Sequence, residues 1–238
     1  MTARTSARWR VVTWNLHGAA HPNLELVAEV LEGYAPDVVC AQEVRRHQAK
    51  RLAHRLGWQH RWAHKHDPYS KLVWWRSEGI AVLTPHPTTH VVRTVISRGA
   101  RSWSYRRRVL LAVTVTRPDA ALRVYDTHLA SDGEPDERIA QARRVAEGVL
   151  HDAAPVAIVA GDLNVGSDQE VEVLRELRAA GLRDVEGDST SPSTVPQQRL
   201  DRVLVPTHAT VLDQHTPDGG EQWARISDHL PVMVEFEA

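Results

Sequence analysis

The sequence predicts an α/β fold: one domain of many short strands with a few helices packed on the outside. Three observations lead there. Apolar, strand-like runs recur from Arg10 to Phe236, and four stretches with helical spacing interrupt them. No heptad, repeat, low-complexity tract or linker divides the 238 residues, a length that suits one large domain. Six short polar signatures, drawn from both halves, each follow or border one of the strand-like runs. Carboxylates, amides and imidazoles at strand ends are costly in a core but useful at a rim.

The elements follow in order. Arg10 to Leu16 is a strand. Leu24, Val27, Leu31 and Tyr34 mark one helix face, which Gly33 and Pro36 end. Asp37 to Ala41 is a short apolar strand. Arg45 to Leu56 is a basic helix closed by Gly57, with Arg45, Arg46, Lys50, Arg51 and Arg55 on its solvent face. Trp58 to Trp75 holds two strands and a loop. Gly79–Leu83 and Thr89–Ile96 are strands around a Pro-His-Pro turn. Arg108–Thr116 and Leu122–Thr127 form a hairpin across Arg117-Pro118-Asp119. Pro135 opens a helix running to Leu150. Val156–Ala160 is a buried strand, and Ser167-Asp168-Gln169-Glu170 is a capping box for the next helix. Leu200–Val205, His208–Leu212 and Pro231–Phe236 are the remaining strands. Residues 1–8 form a flexible tail.

Composition narrows the setting. Hydrophobic residues make up 42% and charged residues 25%, as in an ordinary soluble domain, and the net charge of −1 gives no global pull toward nucleic acid or anionic lipid. The one cysteine, Cys40, lies in an apolar run and has no internal disulfide partner. No leader-like or membrane-spanning run is present, so the expectation is a cytoplasmic protein without membrane insertion.

The signatures carry the chemistry. They are T-W-N-L-H-G (Asn15), A-Q-E-V (Glu43), D-T-H-L (His128), G-D-L-N (Asp162, Asn164), R-L-D-R (Asp201) and S-D-H-L-P (Asp228, His229). Asn15, Glu43, His128 and Asp162 fall at the C-terminal ends of predicted strands, where side chains converge on a ligand. Asp228 and His229 precede the last strand and reach that edge only if this strand is antiparallel, so a mixed sheet is implied. Mg2+, or Mn2+ in its place, needs one or two carboxylates and keeps several waters; Glu43 and Asp228 supply them and Asn15 adds an amide oxygen. Asp162 can take a proton from a water while Asn164 donates to a phosphate oxygen. His229 is either a base or a cationic stabiliser, with Asp201 orienting its ring and raising its pKa. His128 is a further donor to a non-bridging oxygen.

The ordered set, spanning the whole chain, resembles the endonuclease/exonuclease/phosphatase superfamily with the DNase I-like fold. The resemblance implies a four-layer sandwich of two mixed β-sheets flanked by helices, and hydrolysis of phosphodiesters or phosphomonoesters with Mg2+ or Mn2+. It implies that Asn15, Glu43 and Asp228 bind or border the metal, that Asp162 and Asn164 position water and phosphate, that Asp201 and His229 act as a pair, and that His128 contacts the scissile phosphate. D-T-H-L resembles the DNase I, sphingomyelinase, deadenylase and inositol-phosphatase branches; abasic-site endonucleases usually carry Tyr where His128 stands.

Other features have competing readings. Arg106, Arg107 and Arg108, beside Trp103 and Tyr105, are a substrate-binding candidate for a nucleic-acid strand or a solvated strand start. Asp201 could instead pair with Arg199 or Arg202. His64 and His66 share a strand face, but no further ligand has zinc-site spacing. Trp62, Trp74 and Trp75 read as core and rim packing, and Lys71 and Arg76 as substrate contacts by position alone. The resulting expectation is a metal-dependent phosphoesterase acting on a phosphodiester, DNA or RNA first. A phosphatase of inositol phosphates, phospholipid headgroups or nucleotides is the alternative, and a non-catalytic binding module of the same fold the third reading.

Overall fold

The structure, a computed structural model, describes residues 6–67, 71–99, 101, 102, 104, 106–131, 135–166 and 170–238. Two six-stranded mixed sheets lie face to face. The first contains β1 (Arg8–Asn15), β2 (Val38–Arg45), β3 (Gln59–His66), β4 (Glu78–Thr84) and, from the far end of the chain, β11 (Thr210–His215) and β12 (Val232–Glu237), in the order β11-β12-β1-β2-β4-β3. The second contains β5 (Thr88–Val95), β6 (Val109–Thr116), β7 (Ala121–His128), β8 (Ala157–Asp162), β9 (Leu182–Asp184) and β10 (Asp201–Pro206), in the order β5-β6-β7-β8-β10-β9. Helices α1 (Leu24–Tyr34) and α2 (Arg46–Leu56) cover the outside of the first sheet; α3 (Pro135–Asp152) and α4 (Glu170–Ala179) cover the second.

Three apolar layers hold these four together. Val11, Cys40, Val82, Leu111, Val124, Ile158 and Val203 pack between the sheets. Strand alternation sends the next residues outward: Val12, Val39 and Leu83 meet Leu31 and Leu52 of the first helix pair, and Tyr125, Val159 and Leu204 meet Val145 and Val173 of the second. Each fully buried aliphatic side chain contributes about 1.5–3 kcal/mol. Because both faces of both sheets are covered, their inner strands read as continuous apolar runs.

Two parallel pairs, β1 with β2 and β7 with β8, put four C-terminal strand ends at one rim. The antiparallel strands complete it. β12 runs against β1, so Asp228 and His229, just before β12, arrive at the same edge. β10 runs against β8 and sets Asp201 directly opposite Asp162. The mixed sheet expected from the position of Asp228 and His229 is therefore present.

Several sequence expectations change. Among the described residues of Trp58–Trp75 there is one strand, β3, and then a 3-10 segment at Lys71–Arg76; four consecutive apolar residues, Leu72 to Trp75, carry no period that separates strand from helical turn. Arg45 is buried at the end of β2, where its N–H is capped by Gln48 Oε1 at 2.9 Å, so it does not belong to the solvent face of α2. Ala7 and Arg8 are not tail residues: Ala7 pairs with Ala238 and Arg8 opens β1. Ser167, Asp168 and Gln169 of the anticipated capping box lie outside the described residues, as do Trp103 and Tyr105 and the side chains of Lys71 and Trp74.

Candidate active site

Each functional side chain is set by a local backbone device. Glu43 sits where the β2–β4 register slips between Ala41 and Val44, and its φ is 51°. Such a bulge breaks the two-residue alternation and re-aims one side chain. Gly18 packs against the Glu43 carbonyl so closely that a Cβ would collide with it. Asp162 ends β8 after Gly161, whose φ of 153° and contact with the Thr127 carbonyl exclude any side chain. Asn164 takes a left-handed φ of 50°, which Asn tolerates, and its N–H donates to Asp162 Oδ1 at 3.0 Å.

Asp162 is the hub. Asn15 Nδ2 donates to its Oδ2 at 3.0 Å, and His128 Nε2 lies 3.7 Å from the same oxygen. Asp162, Asp201 and His229 place polar atoms within 4.8 Å of one another. His229 Nδ1 is 2.7 Å from Asp201 Oδ2, which also accepts from Thr190 Oγ1 at 2.6 Å. Trp14 Nε1–H fixes the His229 carbonyl at 2.9 Å. The competing pairing for Asp201 does not occur: Arg199 and Arg202 both bind Asp184, at 2.8 and 2.6 Å.

Electrostatics separate the two histidines. Burial holds His128 well below the ordinary imidazole value, and the nearby Lys65 and Arg108 charges push it the same way, so it is neutral at pH 7. Burial also opposes charge on His229, but the Asp201 carboxylate, by proximity and hydrogen bonding, raises it to about 10. Burial, then the neighbouring Asp201, pushes Asp162 up to about 6. Glu43 is likewise raised, by burial first and Glu78 second.

The residues fit a hard divalent cation. Partly buried Glu43 and fully buried Asp162 are held above the usual carboxylate range, by burial first and by the neighbouring acids Glu78 and Asp201 second, and Asp201 Oδ1 is buried without a hydrogen-bond partner. All are oxygen donors. Asn15 Oδ1 accepts from His17 N–H at 3.0 Å and keeps a second lone pair. Asp228 stands further out, with its side chain 53% exposed and Oδ2 3.1 Å from His17 Nδ1. Among the described residues, no group of three acids or histidines within 4.8 Å includes Glu43 or Asp228. This suits an ion that keeps most of its waters better than a closed cage.

The arginine triplet is divided. Arg107 Nη1 donates to the His64 and Lys65 carbonyls at 2.9 and 2.7 Å and so ties the loop before β6 to β3. Arg108 is buried, with Nε on the Leu129 carbonyl at 3.0 Å, and its charge reaches His128. Arg106 alone is exposed. The three do not form one open phosphate patch, because Arg107 is spent on β3 and Arg108 on the Leu129 carbonyl.

Sequence reasoning missed a buried ion pair beside the hub. Lys65 Nζ is 2.6 Å from Glu78 Oε1 and 3.5 Å from His128 Nδ1; His128 Nδ1 in turn lies 3.8 Å from Glu43 Oε1. A lysine at an inward position of a strand, in a chain with three lysines, was the available signal. Beneath the site Gln42 Nε2 donates to Asp126 Oδ1 at 2.7 Å, and burial drives this carboxyl between the sheets well above its usual range.

Two facing mixed sheets, with acids, amides and imidazoles gathered at one rim, define the DNase I-like class of α/β sandwich. The chain belongs to the Endonuclease/Exonuclease/phosphatase family, whose profile matches residues 12–229. Solved structures agree. An endonuclease/exonuclease/phosphatase from Beutenbergia cavernae superposes with a TM-score of 0.76 at 25% identity, covering 96% of this chain and 71% of its own. D. rerio TDP2 complexed with single strand DNA product matches at 0.74 and 20% identity, over 98% and 100% of the two chains. A mannosyl-6-phosphatase from Bacteroides thetaiotaomicron matches at 0.73 and 18%, over 96% and 99%. No curated protein sequence matches the chain. No described helix is long and apolar enough to cross a membrane.

Proposed function

We propose that this protein is a Mg2+- or Mn2+-dependent phosphodiesterase acting on nucleic acid. The observation that carries the catalytic reading is the hub at Asp162: neutral His128 and protonated His229 lie on either side of a buried carboxylate. At neutral pH Asp162 is mostly ionised yet basic for a carboxylate, which suits the group that accepts a proton from an attacking water. Asn164 spends one amide hydrogen on the Leu129 carbonyl at 3.2 Å and has a second for a phosphate oxygen. Asp201 holds His229 Nδ1, so the Nε2–H of the cation points away from Asp201 to meet negative charge developing on phosphate or leaving oxygen. His128 Nδ1 faces Lys65 Nζ, which leaves its Nε2–H as the neutral donor toward the phosphate. When bound by Glu43 and Asp228, beside Asn15 Oδ1, a divalent cation supplies Lewis-acid neutralisation of phosphate charge.

The polymer substrate is supported by exposed Arg106 and by the cationic outer face of α2. The test is a panel of single-stranded and duplex oligonucleotides, inositol phosphates, sugar phosphates and nucleotides, each with Mg2+, Mn2+ or chelator. The expected result is metal-dependent oligonucleotide cleavage that falls steeply with added salt. Release of inorganic phosphate from small esters alone, insensitive to salt, would replace the nuclease with a phosphatase. Asp162→Asn and His229→Ala should each lower kcat by about 10²–10⁴-fold, with melting temperatures near wild type; full activity in both would reject the site.

A further inference from the structure

Outside the hub a cavity of ≈ 510 Å³ lies between α2, β3 and the segment Trp75–Ser77, within the range of small-ligand sites. The first two turns of α2 supply one wall through Arg46 and Lys50. The outward face of β3 supplies a second through Trp62, and Trp75, Ser77 and Asp67 close the third. These walls are fixed to one another. Trp62 Nε1–H donates to the Val44 carbonyl at 2.9 Å, the His47 ring donates to the Trp75 backbone, and Ser77 Oγ–H donates to Asp67 Oδ1 at 3.3 Å.

The cations over this cavity differ from the rest of the helix. Arg51 and Arg55 pair with Glu25 and Glu32, at 3.6 to 2.7 Å, whereas Arg46 and Lys50 form no ion pair among the described residues. One helical turn apart, these two point the same way. Below them the Trp75 indole is 51% exposed, unusual for so large a ring. Two cations above an exposed and a half-buried indole match a flat ring that carries a neighbouring phosphate. Asp67 offers an acceptor for an N–H on that ring.

The cavity is continuous with the site along the chain. Arg46 follows Glu43 by three residues, and Ser77 directly precedes Glu78, the partner of Lys65.

We propose that this cavity is a nucleotide subsite. It takes one base of the strand against Trp62 and Trp75 and a flanking phosphate between Arg46 and Lys50. The proposal rests on the phosphodiesterase reading and names where that substrate is gripped beyond the scissile bond. It is tested by anisotropy of fluorescein-labelled octathymidylate with chelator present, using wild type, Trp75→Ala and the double variant Arg46→Ala/Lys50→Ala. Turnover of bis(p-nitrophenyl) phosphate with Mg2+ is measured in parallel.

Each variant should bind the oligonucleotide about tenfold or more weakly. Salt dependence should become shallower only in the double variant. Small-ester turnover should be unchanged in both, which also shows that they fold. Unchanged oligonucleotide affinity in both variants overturns the subsite and leaves the hydrolase standing. Weakened binding in a protein that hydrolyses no phosphoester keeps the subsite and removes the hydrolase. Displacement by hexaglutamate as effective as by unlabelled octathymidylate overturns base recognition in favour of a charge-only surface.

Discussion

Asp162 lies beside two imidazoles in opposite charge states: burial keeps His128 neutral, whereas the Asp201 carboxylate overcomes the same penalty at His229. His229 has a carboxylate on Nδ1; His128 has a lysine there. This sets a pH profile. The reading needs Asp162 ionised and His229 protonated, so kcat/KM should rise through about pH 6 and fall near pH 10, a metal-bound carboxylate shifting the acid limb lower. Asp201→Asn removes the anion that holds the His229 proton and helps raise Asp162, so the alkaline limb should move down and the acid limb should move down with it. An unmoved alkaline limb would show that His229 is not the group titrating there. The same pair has a stability consequence. The folded pKa of His229 lies above its ordinary 6.5, so its contribution is fully present below that pH and is lost as pH rises through about 10. Thermal melts of wild type should lose ground over this interval relative to those of His229→Ala.

Elements position these residues through exceptions to their own periodicity, and this decides what the sequence disclosed. Asn15, His128 and Asp162 were legible because each ends a parallel strand, a position readable from an apolar run followed by polar residues. Glu43 was legible as a motif, yet the bulge that aims it was not, because one inserted residue leaves no mark on an already apolar strand. Lys65 and Glu78 were hidden by chain distance: β3 and β4 bring them together by antiparallel pairing, and a strand lysine ordinarily reads as solvent-facing. At this scale the prediction concerns that pair. Lys65→Met leaves Glu78 buried without its cation, which costs about 3–5 kcal/mol. The melting temperature should fall by many degrees and recover in large part when Glu78→Leu is added. If Lys65→Met alone melts like wild type, the ion pair is not holding this edge of the first sheet.

The whole molecule is built so that neither half owns the site. Asn15, Glu43, Asp228 and His229 come with the first sheet, and His128, Asp162, Asn164 and Asp201 with the second. The hub therefore measures the alignment of the two sheets, and the Val-rich layer between them maintains it. That shared layer was legible as apolar runs. Which strands belonged to which sheet was not, since β11 and β12 return from the far end of the chain to join β1, and such long-range pairing has no local signature. If the sheets truly share a core, they unfold together. The chain offers a way to see this: seven of its eight tryptophans, all but Trp103, lie in β1, in the segment from Trp58 to Trp75, or at Trp223 beside Trp14, so indole fluorescence follows the half built on the first sheet. Far-UV circular dichroism follows both. In equilibrium urea denaturation the two curves should overlay with one midpoint, and hydrolytic activity should vanish along the same curve or before it. A fluorescence transition separated from the dichroism transition would mean that the sheets part as independent units, and that the central layer does not set the geometry around Asp162.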